Sequence, residues 1–226
     1  MLFQFHSWTI VFFIGIAITL PIAIHIWRVR KESWPRRFLA IVLFITVYWM
    51  FMDIITMNLL DLSLSIMLLK LYMGLLSYVF FIFFLIPYSF LRPIGEDKRI
   101  LWILIIPTIM LLVMTFGESI NGASFVEWGV KYDYDTPIYN AWAIIGFVVM
   151  MAAYVLAIFV IRDPTLEKPF KTKIKIFMVG TFIAFIMAYF GNVILEILFH
   201  WPPLSSLFMG VGYGFASLAF RKRRHE

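Results

Sequence analysis

Four ionisable side chains lie within, or directly beside, segments of the sequence that are otherwise apolar. They are Asp53, Lys70, Glu196 and His200. An ionisable group in a hydrocarbon layer is costly to bury, and such groups mark binding sites, proton relays or ion pairs. At 1.5 Å per helical residue, Asp53 lies ~10 Å from the end of its segment, and Lys70 lies one turn inside the next segment.

Four polar residues near the C-terminal end of the chain share one helical face. Tyr189, Asn192, Glu196 and His200 follow one another at intervals of three, four and four residues. At about 100° per residue, these intervals place all four side chains in a single stripe. We expect the stripe to meet the other embedded polar groups in one half of a helical bundle.

Two interpretations of these groups remain open. In the first they line a ligand pocket, for which the predicted binding residues are Asp53, Lys70, Tyr189, Asn192, Glu196 and Trp128. In the second, Lys70 forms a structural ion pair with Asp53 or Glu196. His6, Glu196 and His200 have the residue types of a metal site but no dedicated spacing, so neither a metal nor a cofactor is predicted.

The composition identifies the layer in which these groups are buried as a membrane. Of the 226 residues, 63% are hydrophobic and only 14% are charged, whereas a soluble domain has roughly 45–50% and 25%. The mean hydropathy is +0.93. Cysteine is absent, which excludes disulfides and thiolate chemistry. We therefore predict a single multi-pass domain, residues 1–226, in the cell membrane.

Seven apolar segments are separated by charged and turn residues. They cover about 8–27, 38–60, 66–91, 100–116, 138–161, 176–199 and 204–220. None alternates with the two-residue period of a barrel strand, and a helix satisfies its own backbone within hydrocarbon. The predicted fold is an all-α integral membrane protein, a bundle of seven transmembrane helices.

The basic residues predict the orientation of this bundle. Seventeen of the 19 lysines and arginines follow the first, third, fifth and seventh segments. All of these positions lie on one side of a seven-helix bundle, and such clusters favour the cytoplasmic side. We therefore expect the N-terminus outside, the C-terminus in the cytoplasm, and basic loops that contact anionic lipid headgroups. A nucleic-acid partner is not expected, because these loops are short and lie against the membrane.

The loop between the fourth and fifth segments has the pattern of a β-strand. From Val126 to Asp135, apolar and aromatic residues alternate with polar residues, and this two-residue period is typical of a strand with one apolar face. Asn121-Gly122 is a hairpin-turn signal. We predict a short β-hairpin over the outer mouth of the bundle, with Trp128 directed inward; the alternative is an amphipathic segment on the lipid headgroups.

The arrangement of the outer and inner halves limits the possible functions. The inner half contains few polar residues, so we expect apolar side chains to seal it against ion passage. No catalytic triad, paired-carboxylate motif or phosphate loop is recognisable, and no enzymatic activity is predicted. A lipid enzyme with Glu196 and His200 as acid and base is supported only by their spacing.

Short elements along nearly the whole chain resemble the seven-helix N-terminal sensor region of membrane histidine kinases. In chain order they are Trp49, Tyr72-Met73-Gly74, Pro87-Tyr88, Pro107, a long aromatic outer loop, Gly191-Asn192 and Pro202-Pro203-Leu204. The resemblance implies a receptor that senses a ligand on its outer side and passes helix movement to a cytoplasmic output. In that family the last helix continues into a kinase, whereas this sequence ends six residues after Phe220.

Two functions follow as expectations. The first is a receptor-like sensor module that binds a small or amphipathic ligand in its outer half and signals through a separate cytoplasmic or membrane partner. The second is an accessory structural subunit of a larger membrane complex. Small residues four apart in the last segment, at Ser206, Gly210 and Gly214, favour close helix packing within the bundle or in a homo-oligomer.

Overall fold

The computed structural model describes residues 4–28, 34–91, 98–190 and 198–217. Helices dominate these residues, and one two-stranded sheet interrupts them. In chain order the elements are α1 (Thr9–Arg28), α2 (Trp34–Asn58), α3 (Leu62–Leu91), a 3₁₀ helix (Lys98–Leu104), α4 (Ile105–Phe116), β1 (Gly122–Val126), β2 (Gly129–Asp133), α5 (Pro137–Arg162), α6 (Lys168–Tyr189) and α7 (Ser205–Ser217).

Five of the helices are long and apolar enough to cross a membrane. These are α1, α2, α3, α5 and α6, with 20 to 30 residues each, and about 20 residues suffice to cross the ~30 Å hydrocarbon core of a bilayer. Large apolar side chains are exposed along α1, α4, α5 and α6. An apolar outer surface of this extent fits lipid as the surrounding solvent. The chain is an α-helical bundle of membrane-protein character.

Helix α3 lies at the centre of the bundle and α5 at its periphery. In the most apolar stretch of each helix, 67% of the α3 residues are buried but only 22% of those in α5. Helix α3 packs against α2, α4, α5 and both strands, while α7 packs against α6, α2 and α1. Groups that meet between α2, α3 and α7 are therefore enclosed by protein.

The two ends of the bundle differ in chemistry. At one end, the side-chain amide of Asn58 at the end of α2 donates to Thr9 at the start of α1, over 2.9 Å. The hairpin lies at this end as well, with Gly129 against the backbone of Met57; we call it the hairpin end. The opposite end carries the described basic residues of the helix termini; we call it the basic end. They are Arg28, Arg36, Arg37, Arg162, Lys168, Lys171, Lys173 and Lys175.

The antiparallel strands β1 and β2 pair from Gly122–Asp133 to Val126–Gly129. Glu127 and Trp128 form the turn between them, so the expectation that Asn121-Gly122 makes this turn is wrong. Asn121 instead lies next to the open end of the hairpin, where its backbone N–H donates to Asp133. Gly129 has a φ of 135°, a conformation that side chains rarely adopt, and the Met57 backbone leaves no space there for a Cβ.

The sixth apolar segment begins earlier than its predicted bound at residue 176. Helix α6 starts at Lys168, so four lysines lie in its first turns, and it is described as far as Tyr189; Leu198 and Phe199, after the undescribed residues 191–197, are again helical. His200 has a φ of 52° and lies outside any helix. The predicted continuous helical stripe therefore does not reach His200, and Asn192 and Glu196 lie outside the described residues.

Helices α6 and α7 approach each other closely at two glycines. A methyl group added to Gly212 of α7 would overlap backbone atoms of Ala184, and one added to Gly180 of α6 would overlap those of Ala216. Small residues allow such an approach between helices in a membrane. Gly214, two residues after Gly212, has only the end of the Ile22 side chain near its missing Cβ.

We expect Gly212→Ala to destabilise the bundle and Gly214→Ala to leave it unchanged or slightly more stable. The first substitution forces α6 and α7 apart, and overpacking costs about 1–3 kcal/mol. The second adds a methyl group in ordinary contact with the end of the Ile22 side chain, at 3.5 Å, and it improves helix propensity. Unfolding in denaturing detergent measures both free energies, and equal stability of the two variants would contradict the packing described here.

Candidate functional site

The Asp53 carboxylate lies between three helices and accepts hydrogen bonds from the two that face its own helix. The Tyr72 hydroxyl of α3 donates to Oδ1 over 3.2 Å, and the Ser206 hydroxyl of α7 donates to Oδ2 over 2.5 Å. Asp53 itself is only 8% exposed. Both partners are neutral hydroxyls, which can donate to a carboxylate oxygen.

The local sequence explains why Asp53 faces inward. Thr46, Met50, Asp53 and Met57 follow at intervals of four, three and four residues, which places them on one helical face, and all four are buried. Thr46 satisfies its own hydroxyl by donating to the Val42 carbonyl. Asp53 is thus the only ionisable member of a buried face, and its position requires donors from the helices opposite.

A second polar layer joins the hairpin to α2 and α3. The hydroxyls of Ser65 in α3 and Tyr132 in β2 are hydrogen-bonded to each other, and the Ser65 hydroxyl also contacts the Thr56 carbonyl at 3.3 Å. Burial raises the pKa of Tyr132 to about 12, while hydrogen bonds from Ser65 and Thr56 act in the opposite direction. Tyr132 therefore stays protonated at neutral pH, and its phenol fixes the hairpin to the helices.

Trp128, at the tip of the hairpin, closes the hairpin end above Asp53. Its ring is 8% exposed and packs in an apolar cluster with residues of α1 and α2 and with Leu204, just before α7. Met50 and Met57 of this cluster flank Asp53 on the same face of α2. The hairpin tip is thus in contact with α2 on both sides of Asp53 and with Leu204, just before α7.

A run of aromatic rings continues from β2 into the interior. Neighbouring ring centroids lie 4.8 to 6.1 Å apart, within the range of favourable aromatic pairs. In order, the rings are Tyr132, Tyr134, Tyr139, Trp142 and Phe80. The Trp142 indole donates to the Ser77 hydroxyl of α3 over 2.8 Å, so the run connects the hairpin through α5 to the central helix.

Lys70 lies on a different face of α3 from the carboxylate site. Its ammonium donates to the Gly117 carbonyl at the end of α4, over 2.8 Å. Gly74 and Ser77, on the same face as Lys70, contact α4 and α5. Tyr72 points toward Asp53 instead, because two residues along a helix turn the side chain by about 200°. The predicted convergence of Lys70 with Asp53 is therefore wrong, and so is their ion pair.

The other predicted binding residues have mixed outcomes. Trp128 is buried beside the site, as described above, whereas Tyr189 is 65% exposed on the outer surface and does not join it. Asn192 and Glu196 lie outside the described residues. Within the described ranges, no group of three acidic, histidine or cysteine side chains could hold a metal ion. His200 is exposed.

Sequence reasoning missed some of the buried hydroxyls. Tyr72 and Ser206 are the donors that make Asp53 a junction of three helices, yet Ser206 was assigned only to close packing. Nearer the basic end, Tyr154 of α5 donates to Thr181 of α6 over 3.2 Å. The buried hydroxyl of Tyr213 in α7 has no hydrogen-bond partner among the described residues. The inner part of the bundle thus contains neutral polar groups that hydropathy does not show.

Comparisons of the chain with protein-family models, with curated proteins and with solved structures found no match.

We expect Asp53→Asn and Ser206→Ala to show strong energetic coupling in a double-mutant cycle. A hydrogen bond to a charged group contributes about 1.5–3 kcal/mol, and each single substitution already removes the hydrogen bond between the Ser206 hydroxyl and the carboxylate. The double variant should therefore be little less stable than either single variant. The free energies of unfolding measure this coupling, and Ser206→Ala with Thr181→Ala serves as the control pair. Additive effects of Asp53→Asn and Ser206→Ala would contradict the contact.

We expect the stabilising effect of the Tyr132 hydroxyl to depend on pH in the alkaline range. Its pKa in the folded protein is about 12, above the ordinary value of about 10. The hydroxyl's contribution, about 1 kcal/mol relative to Tyr132→Phe, should be complete below pH ~10 and disappear as the pH approaches ~12. Unfolding of both proteins across this range measures the difference, and a difference that stays constant would exclude the buried phenol.

Proposed function

We propose that this chain is a receptor-like membrane sensor module. A ligand binds in the outer half at the Asp53 junction beneath the hairpin, and a separate cytoplasmic or membrane partner receives the signal. The observation that carries the proposal is the position of Asp53, whose carboxylate bonds to both α3 and α7. A change at this one group alters the contacts of three helices at once. A ligand that binds there can therefore favour one arrangement of the bundle over another.

We propose seven membrane crossings. Helices α1, α2, α3, α5 and α6 supply five of them. The 3₁₀ helix and α4 run consecutively over residues 98–116, and at 2.0 and 1.5 Å per residue they extend ~32 Å together, about the thickness of the hydrocarbon core. Pro107 lies in the first turn of α4, where proline is tolerated. The described part of α7 extends ~20 Å and provides part of the last crossing.

The orientation in this proposal places the hairpin end outside and the basic end in the cytoplasm. The separation of charge supports it, because the described lysines and arginines of the helix termini gather at the basic end. These residues suit contact with anionic headgroups. They also form the surface at which a signalling partner would detect helix movement. The N-terminus would then be outside and the C-terminus inside.

The hairpin provides a route from ligand binding to helix movement. Trp128 packs against α1 and α2, Tyr132 bonds to Ser65 of α3, and the aromatic run leads to α5. A ligand that displaces Trp128 to reach Asp53 would change all of these contacts together. The ligand can shift the bundle only by binding one arrangement better than the other. The resemblance to the sensor regions of histidine kinases implies the same direction of signalling.

Impermeant labelling tests the orientation. The sequence has no cysteine, so a single introduced thiol reports one position. We expect Phe125→Cys, on the exposed side of the hairpin, to react with a membrane-impermeant maleimide in intact cells. Thr172→Cys, exposed at the start of α6, should react only after the membrane is opened. The reverse pattern would contradict the proposed topology.

Spin labels test the coupling between the two ends. Labels at Leu91→Cys and Thr172→Cys report the distance between α3 and α6 at the basic end. We expect Trp128→Ala, and separately Asp53→Asn, to shift this distance by about 2 Å, the scale of helix shifts in signalling proteins. Electron–electron resonance in lipid nanodiscs measures the shift.

Phe125→Ala is the matched control for this experiment, because it removes an aromatic ring from the exposed side of the same hairpin. It should leave the distance unchanged. If neither Trp128→Ala nor Asp53→Asn changes the distance between the labels, the junction is a structural contact only, and the receptor proposal is contradicted.

The alternative is an accessory subunit of a larger membrane complex. The observation that favours it is Tyr189, a polar aromatic residue that is 65% exposed on an otherwise apolar surface. An exposed tyrosine of this kind suits contact with another chain or with headgroups. Copurification in mild detergent distinguishes the functions, since a subunit should lose a stoichiometric partner in the Tyr189→Ala variant.

A further inference from the structure

We infer that the ligand of the Asp53 site carries a permanent positive charge, such as a quaternary ammonium group attached to an apolar chain. This inference rests on the proposed function and specifies its ligand. It follows from three features of the site: a buried carboxylate with neutral partners only, phenol and indole rings around it, and an apolar cluster beside it.

The first feature is a buried carboxyl group without a cationic partner. The hydrogen-bond partners of Asp53 among the described residues are Tyr72 and Ser206, and both are neutral. Lys70 bonds to the Gly117 carbonyl instead. The sequence 191–197, whose placement is not described, contains no lysine or arginine. A carboxylate in a membrane protein interior normally pairs with a cation, and here the ligand would supply it.

The second feature is the type of the surrounding rings. The Tyr72 phenol donates directly to the carboxylate, and Tyr132 bonds to Ser65, two turns before Tyr72 on α3. The ring centroids of Tyr132 and Tyr134 are 6.1 Å apart. Trp49 lies one turn before Asp53 on α2. Aromatic faces attract organic cations, and groups of such rings recognise quaternary ammonium ligands. Carboxylate and rings together favour a cation over a neutral or anionic ligand.

The third feature sets the character of the rest of the ligand. Met50, Ile54 and Met57 border Asp53 on α2 and pack with Trp128 and Phe12. Methionine and tryptophan provide an adaptable apolar surface. An alkyl chain could therefore replace the contacts that Trp128 makes when the hairpin moves. A ligand with a cationic head and an apolar tail matches both parts of the site.

The experiment compares three probes with the same eight-carbon chain: octyltrimethylammonium, octanol and octanoate. Binding to the full chain in zwitterionic nanodiscs is measured by titration calorimetry, with empty nanodiscs subtracted. We expect octyltrimethylammonium to bind the unchanged protein and to bind Asp53→Asn roughly tenfold more weakly or not at all, as for a lost buried charge pair. Octanol and octanoate should show no dependence on residue 53.

A control variant separates charge from folding. Asp61→Asn removes an exposed carboxylate at the same end of the bundle, where Asp61 bonds to the backbone of Leu64, and it should bind the cation normally. A normal melting transition of Asp53→Asn in the nanodisc shows that this variant folds.

The outcomes distinguish this inference from the proposed function. If octyltrimethylammonium binds Asp53→Asn as well as the unchanged protein, or if octanoate binds in its place, the cation inference is overturned. A spin-label shift in the Trp128→Ala variant would then still support a receptor with a different ligand. If the cation binds but neither Trp128→Ala nor Asp53→Asn changes the spin-label distance, the cation site is supported and the receptor proposal is contradicted.

Discussion

The structure depends on a single carboxylate held inside an apolar bundle. Asp53 has no cationic partner among the described residues, so its position is stabilised by hydroxyl donors from α3 and α7. Each donor must come from a particular helix at a particular depth. Since few arrangements of α2, α3 and α7 satisfy this requirement, the carboxylate helps to determine how these three helices pack. Breaking a buried polar contact of this kind is costly because the remaining group stays unsatisfied.

The hairpin belongs to the same unit. Its tip packs on α1 and α2, the phenol of its second strand bonds to α3, and its aromatic run reaches α5. Two strands alone would be only marginally stable in water, so this hairpin owes its order to the helices beneath it. An element that depends on its contacts in this way responds when those contacts change. This dependence is the physical basis for a sensor at this end of the bundle.

The sequence predicted the class of the fold and Asp53 because both follow from local patterns. Long apolar runs indicate helices in a membrane, and an isolated aspartate within such a run indicates a special site. The partners of Asp53 could not be predicted, since the relative rotation of two helices depends on tertiary packing. The Lys70 face of α3 was expected to meet Asp53, yet it faces α4 and α5. The turn at Glu127-Trp128 was missed because Asn121-Gly122 has the stronger local signal.

Hydrogen–deuterium exchange in nanodiscs tests most directly whether the carboxylate holds this unit together. Exchange reports local opening of backbone hydrogen bonds, and Asp61→Asn provides a variant with the same charge change at an exposed position. We predict that Asp53→Asn accelerates exchange in α7 from Ser205 onward and in β2, relative to both the unchanged protein and Asp61→Asn. Equal exchange in all three proteins would contradict the account, because the three-helix junction would then be independent of its carboxylate.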